Sequence, residues 1–323
     1  MSALLEVTDL TLRFGGVKAV DGLSFEVREG EILAVIGPNG AGKTSAFNCI
    51  SGFYLPTSGS VVFQGRSIVR EVPRLWHSLR LVHLLQSFGF YRVLPSRVTK
   101  WGMARTFQNL RLFRELSVLD NVKTAMHANL REGFWSTLLH TPGYRRAEAA
   151  CAREARGWLD FVGFDDDEEL YVGQLPYGEQ RRVEIARALA TSPKLLLLDE
   201  PAAGLNFNEK QALMALIRKV RDLGVAVVLI EHDMGMVMEL AERIVVLNYG
   251  REIADGTPEE IKADPLVIEA YLGVDDDGAA VDDTRLRTGA VSADAIAAAI
   301  GDGAGGASTP LPGTRADQEG DVR

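Results

Sequence analysis

A glycine-rich loop set between an apolar run and a helical pattern restricts the fold of this chain more than any other feature. The loop reads Gly37-Pro-Asn-Gly-Ala-Gly-Lys-Thr44 and follows the apolar run Ile32–Ile36. At this spacing, glycines let backbone N–H groups turn toward phosphate oxygens, the lysine reaches the outer phosphates and the threonine hydroxyl suits Mg²⁺. A strand has to enter such a loop and a helix has to leave it. The pattern therefore predicts an α/β fold that binds a nucleotide.

The residues predicted to contact the nucleotide form this loop and the first turn of the helix after it. They are Gly37, Pro38, Asn39, Gly40, Ala41, Gly42, Lys43, Thr44 and Ser45. Residues 44–51 continue the helical pattern, so the positive end of the helix dipole would face the bound phosphates.

Two further apolar runs, 195–198 and 225–230, are continuous rather than alternating. Continuous runs of this length are typical of strands that are buried on both faces. The helical patterns 179–190 and 209–223 each precede one of these runs. This alternation predicts a sheet of parallel strands covered by helices.

Other sequence patterns predict antiparallel strands and a helical subdomain in addition to the parallel strands. Hairpin patterns over 4–27 and 244–254 predict antiparallel strands, which makes the sheet mixed and adds an antiparallel β subdomain. From about 101 to 190 the sequence has almost no strand signal, and 145–162 is rich in Ala, Arg and Glu. This stretch is therefore predicted to be a helical subdomain.

Two adjacent carboxylates follow the apolar run at 195–198. Asp199 and Glu200 would lie at the carboxyl end of a parallel strand, which is the edge where open α/β sheets bind ligands. There Asp199 is a candidate ligand of Mg²⁺, and Glu200 is a candidate base that polarises an attacking water. The alternative is that Asp199 only caps a following helix, although a cap would not require the neighbouring glutamate.

Charge is distributed unevenly along the chain, whose formal net charge is -9. A net negative chain is not expected to bind nucleic acid generically, because phosphate neutralisation needs a basic face. Residues 274–323 contain ten acidic and four basic side chains, and their low hydrophobicity predicts a disordered acidic tail after a domain of 1–273. No apolar run is long enough to predict a membrane span. The two cysteines form no CxxC pair, so neither a disulfide framework nor structural zinc is indicated.

Four motifs follow one another along the chain, and their order indicates a particular class of protein. The phosphate loop is followed by Leu175-Pro-Tyr-Gly-Glu-Gln-Arg-Arg182, Leu-Leu-Leu-Leu-Asp-Glu-Pro201 and Glu231-His-Asp233. In this order the sequence resembles the ATP-binding subunit of ABC transporters, over about residues 4–273. The resemblance implies the P-loop NTPase fold of ABC ATPases, ATP and Mg²⁺ as cofactors, and hydrolysis of ATP coupled to transport.

The resemblance also implies roles for individual residues. Gln108 would contact the metal and the attacking water, and His232 would bind the γ-phosphate, so Glu200, His232 and Gln108 are the candidate catalytic residues. The candidate metal ligands are Thr44, Gln108 and Asp199. Phe14 would stack on adenine, although the sequence alone fits a core phenylalanine nearly as well.

The segment after Leu175 would contact the nucleotide of a second subunit. Its candidate contacts are Tyr177, Gly178 and Glu179, at the start of a helix whose dipole favours phosphate. The sequence departs here from the family pattern LSGGQ, because Pro176 replaces the serine and Tyr177 the first glycine. Pro176 has neither a hydroxyl nor an N–H group, so one phosphate contact of the family is missing.

Several segments resemble one subgroup, the ATPases of branched-chain amino-acid importers. They include Arg13-Phe-Gly-Gly16, Arg105-Thr-Phe-Gln108 and the ending Ile268-Glu-Ala-Tyr-Leu-Gly273. The subgroup implies a second ABC ATPase subunit, in a heterodimer or a homodimer, together with two membrane permeases and, indirectly, a secreted substrate-binding protein. It implies a peripheral location on the cytoplasmic face of the cell membrane, and no nucleic-acid partner.

The same motifs are compatible with other classes of ABC ATPase. Urea or amide importers share much of this sequence, and lipid or polysaccharide exporters share the motif order. A soluble ABC ATPase that acts on ribosomes or DNA is a further alternative, although such proteins usually carry two fused nucleotide domains or long coiled-coil insertions.

Between residues 70 and 94 the chain carries about two dozen residues more than the family pattern predicts. Residues 66–100 carry seven basic side chains and one acidic side chain, and the segment has an amphipathic helical stripe with aromatic residues. One hypothesis is that this insertion contacts the membrane subunit or anionic lipid. The other is that it forms a surface helix packed on its own domain.

Overall fold

The computed structural model describes residues 3–69, 94–126 and 142–272. In these ranges the strands form two sheets, one of four strands and one of six. The strands are β1 (Leu5–Phe14), β2 (Val17–Val27), β3 (Ile32–Ile36), β4 (Ser58–Phe63), β5 (Arg66–Val69), β6 (Met103–Arg105), β7 (Leu195–Asp199), β8 (Ala226–Ile230), β9 (Arg243–Asn248) and β10 (Arg251–Gly256).

The six-stranded sheet holds the nucleotide-binding motifs. Its order is β10-β9-β3-β8-β7-β6; β10 is antiparallel to β9, and the other neighbours are parallel. Every residue of β3, β7 and β8 is buried. In β3, Ile32, Ala34 and Ile36 pack into one core, and Leu33 and Val35 pack into another. Burial on both faces explains why these strands are continuously apolar in sequence.

The four-stranded sheet is antiparallel throughout, in the order β2-β1-β4-β5. Its inner face shares one hydrophobic core with one face of the six-stranded sheet and with the helix that follows the phosphate loop; Phe25, Phe63 and Phe47 are among the residues of that core. The core therefore fixes the phosphate loop between the two sheets.

Most of the helices pack on the opposite face of the six-stranded sheet. The helices are α1 (Lys43–Ile50), α2 (Pro95–Lys100), α3 (Val118–Met126), α4 (Pro142–Val162), α5 (Tyr177–Leu189), α6 (Phe207–Asp222), α7 (Met234–Leu240), α8 (Pro258–Ala263) and α9 (Pro265–Leu272), with a 3₁₀ turn at Val172–Gln174. Buried residues of α3 to α9, the 3₁₀ turn included, join that face of the sheet in the second core.

The predicted strands and helices around the motifs are confirmed to within two residues. The runs 195–198 and 225–230 are β7 and β8, and the helical patterns 44–51, 179–190 and 209–223 are α1, α5 and α6. The hairpin patterns are the pairs β1/β2 and β9/β10.

The predicted helical stretch 101–190 is wrong at its start, because Met103–Arg105 is strand β6 at the edge of the large sheet. Three residues are too few to show a period, and none of these three is β-branched or aromatic. Its pairing with β7 alone makes it a strand. The described residues after β6, up to Leu189, form helices and loops, with one isolated bridge between Ser117 and Tyr171.

Two predicted segments lie outside the described residues. They are the basic insertion 70–94, apart from Leu94, and the acidic tail 274–323. Among the residues that the structure describes, no helix combines the length and the apolar character that crossing a membrane would require.

Candidate active site

The phosphate loop joins β3 to α1, and two of its glycines have backbone positions that no other residue fits. A Cβ atom on Gly37, at φ 147°, would lie 2.0 Å from the carbonyl oxygen of Leu247. A Cβ atom on Gly42, at φ 97°, would lie 2.1 Å from the carbonyl oxygen of Ala19. Neighbouring backbone therefore holds the loop on both sides, directly before α1.

Gly42→Ala is expected to weaken ATP binding by at least about tenfold, because the loop has to move away from Ala19 to admit the methyl group. Gly65→Ala is the matched control. Gly65 also has a positive φ, of 69°, but a Cβ there meets nothing within 4 Å, and it lies in the turn between β4 and β5. Isothermal titration with ATP measures both variants. Equal affinities for the two would contradict the close-approach argument.

Lys43 is the first residue of α1, and its side chain is folded back over the loop. Its Nζ donates to the carbonyl oxygens of Gly37, at 2.7 Å, and Pro38, at 3.0 Å. Burial lowers the pKa of the Lys43 ammonium, and the negative charges of Glu200 and Asp199 oppose that shift. The ammonium therefore lies within electrostatic range of both predicted carboxylates.

Asp199 ends β7 and is buried. It does not cap a helix; the next helix, α6, is capped by Asn206, whose side chain accepts from the N–H of Glu209. The capping alternative for Asp199 is therefore wrong. One oxygen of its carboxylate, Oδ2, accepts from Nη2 of Arg105 at 2.9 Å.

Two of the predicted catalytic residues, Gln108 and His232, contact the third, Glu200. Nε2 of Gln108 donates to Oε2 of Glu200 at 2.7 Å, and Nε2 of His232 lies 3.0 Å from Oε1. Gln108 follows β6, Glu200 follows β7 and His232 follows β8, and these strands are neighbours in the sheet. The parallel register brings their carboxyl ends to one edge, which explains how residues so distant in sequence come together.

Glu200 also has an unusual backbone. Its φ is 47°, in the left-handed region, and its N–H donates to the carbonyl oxygen of Ile230 at 3.0 Å. A residue with a long side chain in this region is strained by about 1 kcal/mol or more, and such strain is concentrated at functional sites. The turn directs the Glu200 side chain toward Gln108 and His232 rather than along the sheet.

The helix that carries Tyr177, Gly178 and Glu179 begins directly after Pro176, which caps it without a side-chain hydrogen bond. No hydrogen bond among the described residues joins this turn to the phosphate loop of the same chain. The hydroxyl of Tyr177 accepts from Nη2 of Arg181 at 2.9 Å. Burial raises the pKa of the Glu179 carboxyl.

Phe14 ends β1 and is 52% exposed, so it is not a core residue. Its ring meets the ring of Tyr54 edge to face, with the centroids 5.6 Å apart. An exposed aromatic face of this kind is available to a planar ligand. Thr44 and Ser45 lie in the first turn of α1.

Three charged residues with buried side chains, to which the sequence assigns no role, hold the site together. Arg105 contacts Asp199, and Arg181 donates to the carbonyl oxygen of Gln108 at 3.1 Å. Glu231 accepts from the N–H of Ala202 at 2.7 Å and from the N–H of His232 at 3.2 Å. Burial raises the pKa of the Glu231 carboxyl. Each of them fixes the backbone or the side chain of a residue that the motifs identify.

The donor set at this edge suits a hard cation. Thr44 has a hydroxyl, Asp199 has a carboxylate, and Gln108 has an amide oxygen that remains after its Nε2 has donated to Glu200. Oxygen ligands of this kind are those that Mg²⁺ prefers. Within the described ranges no cluster of three His, Cys, Asp or Glu side chains could hold a metal ion, so phosphate oxygens and water would have to complete the coordination.

Comparisons with known proteins agree with this geometry. A family profile described as ABC transporter matches residues 20–203, and a second, described as branched-chain amino acid ATP-binding cassette transporter, matches residues 251–277. The chain is 44% identical over 272 residues to the high-affinity branched-chain amino acid transport ATP-binding protein BraF of Pseudomonas aeruginosa, covering 84% of this chain and 98% of BraF. It is 43% identical, over the same shares, to LivG of Escherichia coli K12, which carries the same description.

Solved structures give the same result. The ADP conformation of MJ1267, an ATP-binding cassette of an ABC transporter, matches with a TM-score of 0.68 at 26% identity, over 85% of this chain and 100% of that chain. The predicted fold, an ABC-type P-loop NTPase with a mixed sheet, is thereby confirmed.

Proposed function

Because the chain belongs to the ABC transporter family, we propose that it is the ATP-hydrolysing subunit that powers uptake of branched-chain amino acids. The observation that carries the hydrolytic part is the meeting of Gln108 and His232 on Glu200, beside the phosphate loop. The substrate class is supported by the match of residues 251–277 and by the relatives named for branched-chain amino acid transport.

Glu200 is proposed as the base that orients the attacking water. Its two carboxylate oxygens each have one side-chain partner, Gln108 and His232, so the carboxylate is held in place before the reaction. A carboxylate that is already oriented loses little freedom when the water has to be positioned. His232 is 43% exposed at the side chain and can turn from Glu200 toward the γ-phosphate.

Lys43 and the loop are proposed to bind the phosphates. Phosphate oxygens would offer the Lys43 ammonium charged acceptors, which form stronger hydrogen bonds than the carbonyl oxygens of Gly37 and Pro38 that it contacts here. The loop N–H groups and the start of α1 add partial positive charge at the same place. Phosphoryl transfer depends mainly on this positioning and electrostatic stabilisation.

Thr44, Asp199 and Gln108 are the residues that would hold Mg²⁺. The ion would neutralise part of the negative charge of the phosphates. Phe14 is proposed to stack on adenine, with its exposed ring beside that of Tyr54.

The start of α5 is proposed to bind the nucleotide of a second ABC ATPase subunit, through Tyr177, Gly178 and Glu179. Among the residues that the structure describes, no hydrogen bond joins this turn to the phosphate loop of its own chain, and a helix start favours phosphate. The partner is proposed to be a different ATPase subunit, since Pro176 removes a contact that an identical partner would also lack. Two membrane permeases complete the proposed complex at the cytoplasmic face of the membrane, with a secreted binding protein supplying the substrate.

Deleting the gene is expected to reduce uptake of radiolabelled leucine, isoleucine and valine at micromolar concentrations by at least about tenfold. Restoring the wild-type gene should recover uptake, and restoring a Lys43→Ala gene should not, because Lys43 is the cation of the phosphate loop. Uptake of urea and short amides, measured in the same cells, is the control. Unchanged leucine uptake together with lost urea uptake would contradict the substrate assignment and leave the ATPase assignment intact.

A further inference from the structure

Arg105 is a buried cation in contact with the proposed metal ligand Asp199. It ends β6, and its side chain is 6% exposed, against 5% for Asp199. Nη2 donates to Oδ2 of Asp199 at 2.9 Å, and Nη1 donates to Oδ1 of Asn48 at 2.8 Å and Oγ of Ser51 at 2.7 Å. The guanidinium therefore ties the end of β7 to the helix that begins in the phosphate loop.

The surroundings of Arg105 hold its charged group in one place. Its guanidinium carbon lies 4.9 to 5.8 Å from the ring centroids of Phe47, Phe53 and Phe107, and its buried Nε has no hydrogen-bond partner among the described residues. Aromatic faces at this distance attract a cation, although the buried ion pair with Asp199 still costs desolvation. The guanidinium charge is therefore fixed beside Asp199, where it acts on that carboxylate.

The pairing weakens the attraction of Asp199 for a free cation. One carboxylate oxygen is occupied by Arg105, and the single negative charge is balanced by a fixed positive charge at hydrogen-bond distance. Lys43 adds a second positive charge within electrostatic range of the same carboxylate. A divalent cation that arrives without phosphate meets the positive charges of Arg105 and Lys43 beside the carboxylates of Asp199 and Glu200, and Arg105 already occupies Oδ2 of Asp199.

We propose that Arg105 is a positioning residue that makes metal binding at Asp199 conditional on nucleotide. It holds Oδ2 and offsets the charge of Asp199 that would otherwise attract free Mg²⁺. The phosphates of ATP supply the missing negative charge, so metal and nucleotide bind together. This inference rests on the proposed function of the site as an ATPase.

The test measures binding of Mn²⁺, which takes the same oxygen ligands as Mg²⁺, by electron paramagnetic resonance. The full chain is titrated without nucleotide and with a non-hydrolysable ATP analogue. Arg105→Gln removes the charge, and Arg105→Lys keeps it. Arg105→Met is a second neutral variant that packs against the three rings if the glutamine amide is not tolerated. Arg105→Gln combined with Asp199→Asn shows whether any new binding uses Asp199.

The neutral variants are expected to bind free Mn²⁺ at least about tenfold more tightly than the wild type, since a unit charge beside a divalent ion is removed. Arg105→Lys should remain within about threefold of the wild type, and the added Asp199→Asn should abolish the gain. Damage to the fold lowers affinity, so a gain separates this role from a structural one. Free-Mn²⁺ affinity unchanged in both neutral variants would overturn the proposal, as would wild-type affinity equal with and without the analogue. A wild type that does not bind the analogue would instead overturn the proposed function.

Discussion

Glu200→Gln is expected to lower the rate of ATP hydrolysis by at least about a hundredfold, while ATP still binds. A positioned base contributes about 10²–10⁴ to the rate, and the glutamine amide cannot accept the proton of the water. The substitution keeps the shape of the side chain, so Gln108 can still donate to it. Phosphate release, measured on the chain alone and with its partner subunits, gives the rate, and ATP titration gives the affinity. Complexes of two ATPase subunits should persist in ATP on a sizing column.

Glu239→Gln is the matched control, because Glu239 forms an exposed ion pair with Arg218, 3.2 Å away. That variant should hydrolyse ATP within about twofold of the wild type, since an exposed pair contributes little. Unchanged turnover in Glu200→Gln would mean that another residue activates the water. A loss of ATP binding in the same variant would assign Glu200 to nucleotide binding instead.

The strands that carry the motifs could be predicted from sequence because burial on both faces leaves a continuous apolar run. Ile32–Ile36 and the run that became β7 have this signature, and each is followed by its motif. The strand β6 could not be predicted, because Met103–Arg105 is short and is held by its pairing with β7 alone. Pairing between distant segments leaves no local signal in a three-residue strand.

The motif residues of the site could be predicted, but the buried charges that position them could not. A charged residue in a sequence is expected to be solvated. Nothing in the sequence around Arg105 and Glu231 indicates that their side chains are buried. The sequence contains one indication that Arg181 is buried. It precedes the buried Ile185 and Leu189 of α5 by four and eight residues. That spacing places Arg181 on the buried face of the helix, whereas Arg182, one residue later, lies off that face.

Arg181 connects the loop of Gln108 to the start of α5. Its side chain is 1% exposed and pairs with Glu184, which is 3% exposed, at 2.7 Å. Nη1 also donates to the carbonyl oxygen of Phe107 at 3.0 Å, and Nη2 donates to that of Gln108 and to the hydroxyl of Tyr177. The tyrosine that replaces a glycine of the family pattern is thus bound within its own subunit.

Arg181→Met is expected to lower the free energy of unfolding by about 3–5 kcal/mol, because it leaves the buried Glu184 carboxylate without its cation. Arg181→Met with Glu184→Leu should recover part of that loss, since two apolar side chains of similar volume replace the pair, while the carbonyl oxygens of Phe107 and Gln108 still lack their donor. Arg218→Met is the exposed control and should cost no more than about 1 kcal/mol. Urea unfolding at pH 7 compares the variants.

The loss in Arg181→Met should also depend on pH. Burial raises the pKa of Glu184 above its ordinary value of 4.5, and Arg181 opposes that shift. Without Arg181 the carboxyl of the folded protein keeps its proton to a higher pH than it does in the wild type. Stability relative to the wild type should then fall as pH rises through the raised pKa of Glu184 in the folded wild type, and the deficit should be smaller in acid. A deficit that stays constant from pH 4 to pH 8 would show that lost packing and lost hydrogen bonds, rather than an unpaired Glu184, cause the destabilisation.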